Sequence, residues 1–190
     1  MKTLLIENST DIGSLAVADD GIILARRQFL KAGDLAGRIQ EILAVFGVPH
    51  EIVVGTGPGS YTGLRVAAAM ALGLETALER VAFGCPSVFG YPQECYHVVG
   101  DARLGTVFFA SIAKRQLVRG PELLPAEEFR ALQPGLGDAP LFANGPVRGF
   151  QDLQIVRPEA EHLVRCRAAF TRTLEPLYLK EPHINMRSPQ

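Results

Sequence analysis

Apolar residues fall in three short runs over the first thirty positions, residues 3 to 8, 14 to 18 and 22 to 28, and these predict three β-strands. Asp19-Asp20-Gly21 has the composition of a tight hairpin turn between the second and third, so the chain opens antiparallel. From Asp34 the period changes. Leu35, Ile39, Ile42, Leu43 and Phe46 recur at helical spacing, with Asp34 placed to cap the helix and Gly47 and Pro49 to end it. Ile52 to Val54 is a short buried strand, followed by a glycine-dense turn and a second helix reaching about Arg80.

Pro86 and Pro92 bracket a junction, after which the pattern resumes. Residues 97 to 100 and 106 to 112 read as strands joined by a tight turn, and 116 to 118 as a third ending at Gly120-Pro121. A short helix over 125 to 132, a strand over 141 to 143 closed by Asn144-Gly-Pro146, and a strand over 154 to 156 follow; beyond Pro158 the pattern is weak. The second half echoes the first in element order. Pattern alone gives a mixed α/β protein.

The central turn carries Gly57, Gly59 and Gly63 around Pro58, with Ser60 or Thr62 as N-cap of the helix behind it. A helix N-terminus behind bare glycines is a natural anion site, which makes Gly57, Gly59, Ser60, Thr62 and Gly63 candidate anion-binding residues. Neither common phosphate fingerprint is present: Leu64 and Arg65 stand where a Walker loop has Lys and Ser/Thr, and Ser60 stands where a dinucleotide motif has glycine. The helix itself is apolar at nearly every position from Leu64 to Leu74. It has more greasy faces than one sheet covers, and Leu64, Ala67, Ala68, Ala71, Leu74 and Leu78 are its candidate partner-binding residues, the alternative being burial within its own lobe.

Composition narrows the picture. The chain has 190 residues, 47% of them hydrophobic, which suffices for one domain or two small lobes. Leu4-Leu5-Ile6 before Glu7 is too short for the core of a signal peptide, and no apolar stretch has spanning length, so the expected location is the cytoplasm, with no membrane partner. Net charge is −1, with 7 basic and 10 acidic residues up to position 95 and 12 and 10 beyond it. Without a basic bias, contact with tRNA is expected only through a partner. Cys85, Cys95 and Cys166 form no CxxC pair, and His50, His97, His162 and His183 form no HxxxH pair; no metal or other cofactor is expected, and each histidine reads as a surface or capping residue.

Gly57-Pro-Gly-Ser-Tyr-Thr-Gly-Leu-Arg65 resembles the signature of the TsaB family, whose older name is YeaZ. Leu4-Leu-Ile-Glu-Asn-Ser-Thr10, Asp101-Ala-Arg-Leu-Gly-Thr-Val-Phe108 and Glu175-Pro-Leu-Tyr-Leu-Lys180 resemble the same family, in family order over nearly the whole chain. The resemblance implies an actin-like ATPase (ASKHA, ribonuclease H-like) fold of two lobes, each a mixed sheet with flanking helices, divided here as 1–84 and a partly degenerate 85–190. It also implies a non-catalytic accessory role in bacterial tRNA threonylcarbamoyladenosine modification, with a TsaD-like catalytic subunit and a TsaE-like ATPase as partners and a homodimer when alone. The alternative is a glycoprotease-like peptidase or a nucleotide-dependent enzyme using the cleft between the lobes.

Within that fold Glu7 stands where actin-like ATPases place an aspartate, and Asp101 and Arg103 lie where the second lobe's phosphate turn would be. These three are the candidate remnant of a cleft. Each also has a structural reading: Glu7 as a strand-end carboxylate bonding loop amides, Asp101 and Arg103 as an ion pair fixing the hairpin. Ser60 and Thr62 lack a nearby histidine and a Gly-x-Ser-x-Gly elbow, so no catalytic residue is assigned. Two departures from the family stand out: Glu7, and the Lys31 to Arg38 segment, where Ala32-Gly33-Asp34 replaces a usual histidine.

Overall fold

The computed structural model describes residues 1–30 and 32–179. Strands β1 (Lys2–Glu7), β2 (Gly13–Asp19), β3 (Ile22–Phe29), β4 (Glu51–Gly55) and β5 (Val81–Cys85) form a sheet in the order β3-β2-β1-β4-β5. The first three pair antiparallel, while β4 joins β1 and β5 joins β4 in parallel. Strands β6 (Tyr96–Asp101), β7 (Thr106–Ala113), β8 (Gln116–Pro125), β9 (Leu141–Ala143) and β10 (Gln154–Ile155) form a second sheet, β10-β9-β6-β7-β8. Here too three strands run antiparallel and two add in parallel, so both halves follow one plan. This is the two-lobed actin-like architecture.

Alternation along the strands sorts the side chains into layers, because successive residues point to opposite faces. Leu4, Ile6, Leu15, Val17, Ile52 and Val54 face α1 (Leu35–Phe46) and α2 (Tyr61–Leu78), which contribute Leu35, Ile39, Ile42, Ala67 and Ala71 to the same core. Leu5, Ala16, Ala18 and Val53 face the other way, into a core shared with Tyr96, Val98, Phe108, Ala110, Ile112 and Phe142 of the second sheet. The far face of that sheet is closed by α3 (Ala126–Leu132), with Phe129 packing on Phe109. The short α4 (Ala160–Leu163) and the 3-10 turns after it return to the first sheet and bury Ala160, Leu163 and Cys166 in the shared core.

Four local differences from the sequence reading have identifiable causes. Asp34 makes no side-chain capping bond, since a 3-10 turn leads into α1 and holds Asp34 in helical geometry; the Gly47 stop is present, its N–H bonding the Leu43 carbonyl at 2.9 Å. Val81–Cys85, which the sequence pattern does not assign, is the edge strand β5. Its Gly84 is required because a Cβ there would stand 2.1 Å from the Thr173 carbonyl oxygen. Gly120-Pro121 does not end β8, because β8 is an edge strand where a missing N–H interrupts no ladder, and the register shift between Phe109 and Ser111 absorbs the irregularity. Residues past Pro158 form α4, held by tertiary packing and not by a periodic pattern of their own.

Candidate functional site

The turns at the C-terminal ends of β1, β4, β6 and β9 converge on a cleft of about 690 Å³, the place where open α/β sheets bind ligands. Its walls are Ser9, Thr10 and Asp11 after β1, Pro58 to Thr62 after β4, Asp101 to Arg103 after β6, Asn144 to Pro146 after β9, and residues 177 to 179. Five of the sequence candidates therefore meet: Gly59, Ser60, Thr62, Asp101 and Arg103. Gly57, Gly63 and Glu7 are not on the wall.

The glycine loop is bound to its own chain. A Cβ on Gly59 would lie 2.2 Å from the Ser9 carbonyl oxygen and one on Gly63 would lie 2.1 Å from that of Asn8, so these glycines let the loop dock on the β1–β2 turn. The Ser60 amide donates to the Ser9 carbonyl at 2.6 Å, the Gly57 amide to Ser87 Oγ at 2.9 Å, and Asn8 Nδ2 to the Gly63 carbonyl at 2.9 Å. Gly57 also needs its positive φ of 98°. Ser60 is the N-cap of α2, its hydroxyl accepting from Gly63 N at 3.2 Å. Three of the amides that could cradle an anion are thus already used.

Glu7 is 1% exposed and lies beneath the loop, not in the cleft. Its Oε1 accepts from Ser9 N at 2.7 Å, which is the loop-amide reading. Oε2 has no partner among the described residues and occupies the space that a Cβ on Gly55 would fill, 1.9 Å away. A side chain longer than aspartate is accommodated because residue 55 is glycine. Burial raises the pKa of Glu7, against the opposing pull of the Ser9 amide.

Asp101 and Arg103 do not form the ion pair read from the sequence. Asp101 Oδ1 instead accepts the Arg103 backbone amide at 2.6 Å, and the turn carries positive φ at Arg103, Leu104 and Gly105. Two other wall features had no signal in the spacing. Asp11 pairs with Arg157 through two bonds of 2.7 and 2.9 Å, which lower the Asp11 pKa and tie the two halves together. Tyr178 packs on Tyr61 with ring centroids 5.2 Å apart, where the Leu177 amide bonds the Thr56 carbonyl. Of the Glu175 to Lys180 stretch, Lys180 lies outside the described residues.

Helix α2 faces inward more than expected. Leu64, Ala67 and Ala71 are at most 1% exposed, Ala67 and Ala71 in the core beneath the sheet and Leu64 against Gly57 of the loop, Ala68 is 9% exposed, and Leu74 and Leu78 are half-buried. The first four cannot be partner-facing, because their surface is already covered. The outward stripe is Arg65, Ala69, Leu72, Gly73 and Thr76, with Leu72 51% exposed; Ala44 and Val45 of α1 are exposed on the same side of the sheet, Val45 to 74%.

Among the described residues, no histidine lines the cleft beside Ser60 or Thr62. His50 Nδ1 accepts from Lys2 N at 2.8 Å. His97 is half-buried and bridges Ser111 Oγ at 2.8 Å and, at 3.0 Å, the carbonyl of Leu136, the residue that caps the 3-10 turn after α3. His162 is also largely buried, at 12% exposure, and His183 lies outside the described residues.

The family model described as TsaD, tRNA N6-adenosine threonylcarbamoyltransferase, matches residues 32–97. The tRNA threonylcarbamoyladenosine biosynthesis protein TsaB of Escherichia coli K12 is 27% identical over 125 residues, 58% of this chain and 54% of that protein. The match thus spans about half the length of that relative. The fold agrees over a longer range: YeaZ from Pseudomonas aeruginosa superposes with a TM-score of 0.77 over 94% of this chain and 99% of that one, at 22% identity. A second structure, titled as an uncharacterized protein similar to the peptidase YEAZ from Pseudomonas aeruginosa, has a TM-score of 0.71 at the same identity and coverage. The chain is thus similar to TsaB (YeaZ) proteins in sequence over part of its length and in fold over nearly all of it. In this TsaB-like chain the family-model match covers α1, the glycine loop and α2, the elements that form one wall of the cleft and the outward helical face. Among the described residues, no helix is long and apolar enough to cross a membrane.

Proposed function

We propose that this chain is an accessory subunit in tRNA threonylcarbamoyladenosine modification, supporting a TsaD-like catalytic subunit and carrying out no chemistry of its own. The observation that carries this reading is the internal use of the glycine loop: Ser9, Ser87 and Ser60 take the amides at Ser60, Gly57 and Gly63. The first lobe, taken as residues 1–84, supplies the binding face through Ala69, Leu72 and Gly73 of α2 with Ala44 and Val45 of α1. Small side chains there allow close helix approach. The same face pairs two copies when the partner is absent, since a two-fold contact lets one patch cover itself. A TsaE-like ATPase joins the assembly, and tRNA is held by the partner, consistent with a net charge of −1.

Support for a catalytic subunit requires that the chain bind one of its conformations more tightly than another. The test is a reconstituted modification reaction with the TsaD-like subunit of the same host, with and without this chain. Product formation should depend on the chain, and Leu72→Arg should abolish both the dependence and co-elution. Product formed equally well without it, or hydrolysis of ATP or peptide by the chain alone that Ser60→Ala removes, would replace this reading with the cleft enzyme.

A further inference from the structure

Outside the cleft, Glu159, Glu161 and His162 place their metal-capable atoms within 4.8 Å of one another where α4 meets the β2–β3 edge. His162 Nε2 lies 3.7 Å from Glu161 Oε1 and 3.9 Å from Glu159 Oε2. These separations are too long for hydrogen bonds. They are close to the ~3.4 Å that separates two ligand atoms each about 2.1 Å from a shared tetrahedral zinc. The group is not a loose surface cluster. His162 and Glu161 are only 12% and 15% exposed, and the His162 ring has no hydrogen-bond partner among the described residues.

The surrounding residues orient the carboxylates as outer partners do in metal sites. Gln28 Nε2 donates to Glu159 Oε1 at 2.9 Å, leaving Oε2 toward the imidazole, and the Ala160 amide is fixed on Ser14 Oγ at 2.8 Å. Arg26 reaches both Glu161 oxygens at 3.2 Å but is 74% exposed, so it is a displaceable competitor for the position of a dication. We propose that Glu159, Glu161 and His162 form a site for a divalent transition-metal ion of the zinc class, with the remaining coordination open to water or to a donor from another molecule. The site lies on the 159–162 turn, apart from the cleft. Spacing alone could not reveal it, because Glu-x-Glu-His is not a helical i, i+4 pair.

The test is titration of the tag-free full-length chain with Zn²⁺ against a chromophoric chelator, and with Co²⁺ followed by visible absorption. One equivalent should bind with a micromolar Kd, giving a Co²⁺ spectrum without a thiolate charge-transfer band. His162→Gln should weaken Zn²⁺ binding more than tenfold, and Arg26→Ala should tighten it. Cys95→Ser, removing the exposed thiol, should leave it unchanged. Circular dichroism accompanies each variant. Should His162→Gln fail to fold, Glu159→Gln and Glu161→Gln carry the same expectation. The proposal is overturned if the chain takes up no Zn²⁺, if the ligand variants bind as tightly as the native chain, or if Cys95→Ser removes the binding.

Discussion

Gly59 lies so close to Ser9 that a Cβ on it would stand 2.2 Å from the Ser9 carbonyl oxygen and 2.6 Å from its Cβ. The loop that looks shaped for a phosphate is therefore shaped for the neighbouring turn. Gly59→Ala should push the loop off Ser9 and cost about 1–3 kcal/mol, the usual penalty of inserting a methyl group into filled space. Gly33→Ala, with nothing within 4 Å of the added atom, is the control and should be near neutral. Equal urea midpoints for the two variants would show that the close approach is not real in solution.

Glu7 predicts an unusual pH dependence. Its folded pKa is raised by burial, so the native state holds its proton more tightly than the unfolded chain, and stability falls as pH rises from the ordinary carboxylate range, about 4.3, through the folded value. Glu7→Gln removes this contribution. Urea unfolding at a series of pH values should show the variant gaining on the native chain as pH increases; a constant difference would mean that Glu7 titrates normally.

Glu51 behaves in the opposite sense. Burial works to raise its pKa, but two bonds from Arg167, at 2.7 and 2.9 Å, and one from Thr3 outweigh it, and the net shift is downward. The stability this provides is present above the unfolded carboxylate pKa and is lost as pH falls through the folded one. Arg167→Ala should cost about 2 kcal/mol at neutral pH. The deficit should shrink in acid, once Glu51 is protonated, and a deficit independent of pH would assign the loss to packing of Arg167 on Phe170.

The two sides of α2 should respond differently to the same substitution. Ala67→Arg places an unpaired charge in the core and should cost about 4 kcal/mol or more, enough to unfold a marginal chain. Leu72→Arg, on the exposed side, should change stability by no more than about 0.5 kcal/mol. Thermal melts with sedimentation distinguish them: a folded Ala67→Arg or an unfolded Leu72→Arg would invert the assignment of the helix faces.

By itself the sequence determined the elements whose cause is local. Short apolar runs placed β1 to β4, Asp20-Gly21 made the hairpin, Gly47 stopped α1, and Ser60 capped α2, because a strand's run of apolar residues, a turn's conformation and a helix cap each depend on a few neighbouring residues. Even Gly59 and Gly63 were legible as positions of close approach. What they approach was not, since the partners Ser9 and Asn8 lie some fifty residues away and are brought there by the parallel pairing of β4 with β1. The same dependence on distant neighbours decided the rest. β5 and α4 have little pattern of their own and exist because the first sheet covers them. Leu64, Ala67 and Ala71 were indistinguishable from Leu72 on an all-apolar helix until the sheet chose which face to bury. Glu7 left the cleft because Gly55 opened space beneath it, and Asp11 met Arg157, and His162 its two carboxylates, only through the way the two halves pack.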